Sequence, residues 1–232
     1  MTEMAQFALA LGFFIFIHVG FSATGLRSLA VGAIGEGPYR GLFSLLSIGG
    51  LAALIWTFGQ AQVSADNTLL WQTPSWGRHV AHTLVGLGFV LAVTGMLTPG
   101  PTQVGFEGSI AKPEPAQGIH RITRHPFLWG VALWGLGHLA ANAEVASVAL
   151  FGGLAAMALL GTRSIDRKTC ARSPEHWERF AATTSNVPFA ALLQKRNRLA
   201  LNEIWWKVLA AIAAYAAVAY YHASFFGVPA FT

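Results

Sequence analysis

Apolar residues in this chain gather into six long stretches, near residues 5–24, 41–60, 79–97, 126–141, 144–162 and 204–223, separated by polar or glycine- and proline-rich segments. A helix needs about 20 consecutive apolar residues to cross a bilayer, and a slightly shorter one can cross inside a bundle. Runs such as LGFFIFI, VLAVTGM and VALFGGLAAMALLG do not alternate polar with apolar positions, as the strands of a membrane barrel do. The pattern predicts an all-α integral membrane protein, a bundle of about six transmembrane helices forming a single domain over residues 1–232. Spans four and five are expected to form a short helical hairpin turning at Ala141-Asn142-Ala143-Glu144. Span four is the short member, about 16 residues or roughly 24 Å of helix. Gly135, Gly137, Gly152, Gly153 and Gly161 are placed to let neighbouring helices approach closely.

Composition supports a surface that meets lipid. Hydrophobic residues make up 54% of the chain and charged residues 11%, against about a quarter charged in ordinary soluble domains. A net charge of +5 raises the question of nucleic acid, and the placement of the charge answers it. The basic residues concentrate in Arg27 and Arg40, in Arg121 and Arg124, and in the tract from Arg163 to Lys207, which share one side if six spans cross. That is a positive-inside distribution. Membrane lipid is therefore the expected partner and nucleic acid is not; a hydrophobic small molecule could be the substrate, and the sequence identifies no protein partner. The first stretch has no basic leader and no small-residue cleavage site, so it reads as a retained helix and not as a signal peptide. The expected location is a bacterial inner membrane, with both termini on the periplasmic side. Within the basic tract, a short amphipathic helix near Pro174 is expected, with Trp177, Phe180 and Ala181 as its apolar face and basic side chains able to reach lipid phosphates.

Histidine supplies the candidate chemistry. There are eight, in a chain with ten acidic residues. His18, His138 and His222 fall in spans one, four and six, and His79 and His82 at the outer end of span three. Ionisable side chains in a span ordinarily face the bundle interior or a cavity and mark function by default. At 1.5 Å per residue, His138 lies about 20 Å and His82 about 22 Å from the cytoplasmic ends of their spans, His18 about 14 Å from Arg27, and His222 roughly 27 Å along span six. Two imidazoles on facing helices can hold a haem iron. Three or four converging imidazoles could instead bind zinc or another metal. No HExxH or CxxC spacing occurs, so any ligand set must be assembled across helices. The structural alternative makes His79, His82 and His222 interfacial side chains, and His18 and His138 interhelical hydrogen-bonding groups. His138 favours function most, lying four residues beyond Trp134 and thirteen beyond His125 in one short helix.

The run GIHRITRHPFLWGVALWGLGHLAANAE, continued by LFGGLAAMALLGTRSIDRK and TSNVPFAALLQKRNR, resembles the NnrU family, membrane proteins found beside denitrification genes. Relatives of that family include plant and cyanobacterial 15-cis-zeta-carotene isomerases. The likeness runs from FIFIHVG through YRGLFSLLSIGGL to the last histidine-bearing stretch. It implies a b-type haem held in the membrane by histidines, where redox-controlled ligand exchange frees the iron to assist rotation about a cis double bond without net oxidation. On this resemblance His18 and His138 are the ligand and catalytic pair, with His82, then His79 and His222, as alternates. Arg124 and His125 would flank the cytoplasmic mouth and pair with haem propionates or lipid phosphates, while Phe14, Trp56, Trp129 and Trp134 would line an apolar slot.

The denitrification setting implies a second role, a haem-bearing redox or assembly partner. A third follows from RHPFLWG, which is similar to the RHPxYxG element of membrane isoprenylcysteine and phospholipid methyltransferases that use S-adenosylmethionine. Here the tyrosine position is Leu128, and the acidic pair that usually follows is reduced to Asp166 in GTRSIDRK.

Overall fold

The computed structural model describes residues 1–21 and 24–230. Ser22 and Ala23, inside the first expected span, and the last two residues lie outside that description. Among the described residues the chain is all-α, with one isolated antiparallel bridge between Leu69 and Glu144 and no strand. Helix α1 (Glu3–Ile15) passes directly into a π-helical turn (Phe16–Phe21). There follow α2 (Gly25–Ile34), α3 (Glu36–Gln62), α4 (Gly77–Met96), α5 (Pro126–Ala141), α6 (Val145–Arg172), α7 (Pro174–Thr183), the single turn α8 (Ala190–Leu193), α9 (Trp205–Tyr220) and α10 (His222–Phe226).

Among the described residues four helices, and not six, are long and apolar enough to cross a membrane: Glu3–Phe21, α3, α4 and α6. This corrects the six-span expectation, and the reason is length. Helices α5 and α9 have 16 residues each, about 24 Å of helix against a hydrocarbon core of about 30 Å. The sixth stretch does not continue as one helix, because the backbone leaves helical geometry at Tyr221 and His222 begins the separate α10. The expected short hairpin is also lopsided. Helix α5 is followed by an α6 of 28 residues that runs on to Arg172. The chain is a multi-pass membrane protein; assigning all its basic tracts to one side had rested on six crossings. The glycine-rich linker after span one proves helical as well. Thr24 Oγ1 accepts the Leu26 N–H at 3.3 Å to start α2, and Gly35, at φ +86°, separates it from α3. Only glycine adopts that φ at little cost.

Contacts within the chain group it into two compact units, the first Met1–Ala81 with Gly135–Gly161, the second His82–Trp134 with Thr162–Thr232. In the first, the Phe7 ring meets Phe58 at 5.7 Å, Phe58 meets Phe151 of α6 at 6.1 Å, and Gly153 lies against Leu11 and Ile15. Gly135 presses on the Phe151 carbonyl, where a Cβ would come within 2.6 Å of the oxygen. The segment before α4 then closes the start of α6. Asn67 Oδ1 accepts the Ala146 N–H at 2.9 Å, Val145 N–H donates to the Thr68 carbonyl at 3.1 Å, and Gln62 reaches Ser147 at 3.0 Å. Amide groups at a helix start need such partners, above all where lipid excludes water.

In the second unit, α4 and α5 run antiparallel at very short range. A Cβ on Gly88 or on Gly130 would fall 2.7 Å from the other's carbonyl oxygen, and Gly95 lies against Pro126. Close packing of this kind holds helices together in lipid, where water exclusion gives no drive. Helix α7 turns its apolar face into the protein and not toward lipid. Phe180 is fully buried with Ile110 and Ala116, and Trp177 packs on them.

Candidate functional site

His18 and His138 both belong to the first unit. His18 lies in the π-helical turn that ends the first span, a wide helical geometry frequent at functional sites. Its ring is held between Phe14, at 4.4 Å, and Phe43 of α3, at 5.3 Å. Its Nδ1 is 2.8 Å from the Phe14 carbonyl. A carbonyl can only accept, so Nδ1 carries a hydrogen, and in the tautomer with that single hydrogen the lone pair is on Nε2. His138 lies nearly flat on Phe151, with centroids 4.4 Å apart and planes 24° apart. One turn along α3 from Phe43, the Ser47 Oγ is buried with no hydrogen-bond partner.

These features fit a haem. Two imidazoles come from different helices of one unit, one has the nitrogen opposite its free Nε2 held by a backbone carbonyl in the manner of metal-bound histidines, and an orphaned hydroxyl lies on the helix face that carries Phe43. Among the described residues no group of three or more His, Cys, Asp or Glu side chains converges on a point as a multi-ligand metal site would; a pair of imidazole ligands would need no such group.

The alternates have other surroundings. His82 belongs to the second unit, where its Nδ1 is 3.0 Å from the Tyr215 hydroxyl of α9. His222 lies at the start of α10, exposed in part, with Nδ1 donating to the Val228 carbonyl at 2.6 Å. It is therefore not the far end of a continuous sixth span. His79 lies in the first turn of α4, in the first unit. The proposed slot residues also part company: Phe14 is buried beside His18 and Trp56 is mostly exposed, while Trp129 and Trp134 belong to the second unit.

Arg124 and His125 do come together, on Asp166, which the sequence offered only as the lone acid where a pair is usual. Arg124 Nε donates to Asp166 Oδ1 and Oδ2 at 2.9 and 3.1 Å, and Nη2 donates to Oδ2 at 2.8 Å. His125 Nε2 donates to Oδ1 at 2.6 Å, and Asn186 Nδ2 to Oδ2 at 3.2 Å. Trp129 Nε1 in turn donates to Asn186 Oδ1 at 3.2 Å, and the Arg124 guanidinium lies 5.0 Å over the Trp177 ring. Arg124 already balances the carboxylate charge, and burial pushes the His125 imidazole below its ordinary value. His125 is accordingly neutral, and its contact with Asp166 is a hydrogen bond from an uncharged ring. Asn186 was not singled out from the sequence; it stands in TSNVPF, where nothing local ties it to a carboxylate on another helix.

With this geometry the chain can be set beside known proteins. It is 30% identical over 189 residues to a protein named 15-cis-zeta-carotene isomerase, chloroplastic, from Zea mays, covering 80% of this chain and 50% of that one. It is 31% identical over 202 residues to a protein of the same name from Arabidopsis thaliana, covering 85% of this chain and 52% of that one. The chain thus spans about half the length of these relatives. No solved structure matches it significantly. The family model described as NnrU protein matches residues 6–230, nearly the whole length, and the chain belongs to the NnrU family.

Proposed function

We propose that this protein is a haem-binding membrane enzyme that isomerises a cis double bond in a hydrophobic polyene, with His18 and His138 as the iron ligands. The observation that carries this reading is the 2.8 Å hydrogen bond between His18 Nδ1 and the Phe14 carbonyl. It fixes the ring and places a hydrogen on Nδ1, so that Nε2 is the nitrogen offered for metal ligation. The printed names of the plant relatives suggest the reaction class.

Bound haem would supply an electron-accepting iron able to lower the order of the double bond that twists. The residues of the chain position and shield. Phe14 and Phe43 grip the His18 ring, and Phe151 supports the face of His138, so neither imidazole turns freely. An isomerisation adds and removes no atoms, and it requires no general acid or base at the reacting bond. Arg124 and His125, committed to Asp166, support the fold in this reading and do not hold propionates.

Purification from haem-replete cells tests the proposal. A Soret band that falls in both His18→Ala and His138→Ala and survives in His82→Ala is the expected result. An undiminished band in both single variants ends the ligand assignment, and a colourless protein that binds S-adenosylmethionine points to methyl transfer. With haem bound, conversion of a cis-carotene under reducing conditions separates an isomerase from a redox partner.

A further inference from the structure

The second unit contains an open cavity of about 370 Å³ lined by Thr98, Gln117, Gly118, Glu203 and Lys207. Its two charged side chains are not equally engaged. Arg121 donates to both Glu203 oxygens, at 2.9 and 3.1 Å, and the Gly118 N–H donates to the same carboxylate. That pairing, with a smaller contribution from the Lys207 charge, holds Glu203 below the ordinary glutamate range. Lys207 donates to the Thr98 hydroxyl at 2.8 Å, stands 5.7 Å from the Trp206 ring, and forms no ion pair among the described residues. An ammonium has three N–H groups. The cavity therefore presents a cation with donors to spare beside the Gln117 amide, while its one carboxylate is neutralised from the side.

The flanking residues identify the phase it faces. Phe189, Leu193, Leu199, Leu201, Trp205 and Trp206 are exposed, Leu193 at 81% and Trp205 at 60%. Lys195, Arg196 and Arg198 are interleaved with them. Large apolar side chains mixed with cations, and a pair of indoles opening an apolar helix, are the composition of a surface at the headgroup level of a membrane.

We propose that this cavity binds the phosphate of an anionic phospholipid headgroup. Lys207 supplies the charge, Thr98 and Gln117 the polar contacts, and the exposed side chains between Phe189 and Trp206 rest among the acyl chains. A lipid is the occupant, and not a soluble anion, because Leu201, Trp205 and Trp206, within two residues of the cavity residues Glu203 and Lys207, are exposed apolar groups.

Native mass spectrometry of the full chain, purified in detergent and titrated with phosphatidylglycerol or with phosphatidylcholine of the same acyl chains, reads the preference directly. The wild type is expected to retain phosphatidylglycerol selectively, and Lys207→Gln to lose about fivefold of that selectivity, as one cation near a lipid surface implies. Lys207→Arg should keep it. Arg198→Gln, an exposed cation outside the cavity, should leave it intact. Equal retention of both lipids by the wild type, an undiminished preference in Lys207→Gln, or an equal loss in Arg198→Gln overturns the site. Displacement of the lipid by an equal concentration of inorganic phosphate overturns the lipid as its occupant. Should Lys207→Gln fail to fold, Gln117→Leu keeps the ammonium and its Thr98 contact, and is expected to show a smaller loss in the same direction.

Discussion

His125 donates its Nε2–H to Asp166 Oδ1 across 2.6 Å, joining the start of α5 to the last turns of α6 over a separation of 41 residues. Arg124 takes the same carboxylate from its other side. Three neighbouring groups thus carry one positive charge, one negative charge and one neutral ring, and this balance is what allows them to be buried together.

Asp166→Asn keeps the shape and removes the charge, leaving the Arg124 guanidinium, whose side chain is 13% exposed, without its counter-ion. Breaking one partner of a buried pair costs about 3 kcal/mol or more. The variant should unfold at a clearly lower temperature in detergent, followed by tryptophan fluorescence. An unchanged midpoint would mean that the cluster contributes nothing to stability.

Acid should weaken the fold through two histidines outside the spans. Burial is the main force pushing both His120 and His125 below the ordinary value of 6.5. A ring kept neutral in the fold but free to protonate on unfolding makes the unfolded state bind more protons. Its contribution is therefore whole above pH 6.5 and is lost as pH falls below that value. Thermal midpoints measured at about pH 7.5 and about pH 5 should fall with acid, and the fall should be smaller in His125→Gln. A variant with the same acid sensitivity as the wild type would remove His125 from this account.

Gly88→Ala places a methyl group 2.7 Å from the Gly130 carbonyl oxygen and must force α4 and α5 apart. Overpacking of this kind costs roughly 1–3 kcal/mol. Gly86→Ala is the control, since its Cβ meets only the Tyr215 ring at an ordinary 3.7 Å. Equal midpoints for the two variants would contradict the close crossing.

The His82–Tyr215 contact, 3.0 Å between α4 and α9, should behave as a structural hydrogen bond. Tyr215→Phe and His82→Ala are expected to be coupled by about 0.5–1.5 kcal/mol in a double-mutant cycle, the net worth of one such bond. Strictly additive losses would show that the pair carries no shared energy.

Much of the molecule is legible in its residues, although unevenly. FIFIHVG and RHPFLWGVALWGLGH put His18 and His138 on helices, and the structure keeps both within one unit. The same stretches say nothing of Phe43 or Phe151, the rings that hold those imidazoles, because both are reached across helix interfaces. Asn186 escaped notice for a like reason: it acts on Asp166, 20 residues away in chain and on a different element.

What the sequence determined by itself was the solvent. Hydrophobic runs without alternation admit only helices in lipid, since the backbone there must satisfy its own hydrogen bonds, and that requirement depends on neighbours a few residues apart. Helix ends and pairings depend on partners far along the chain. Tyr221 stops α9 short, α6 carries Asp166 past the end its hydropathy suggests, and Arg124 and His125 meet that acid. Only tertiary structure decides such matters, because a polar group shut away from water takes whichever complementary partner the packing brings within about 3 Å.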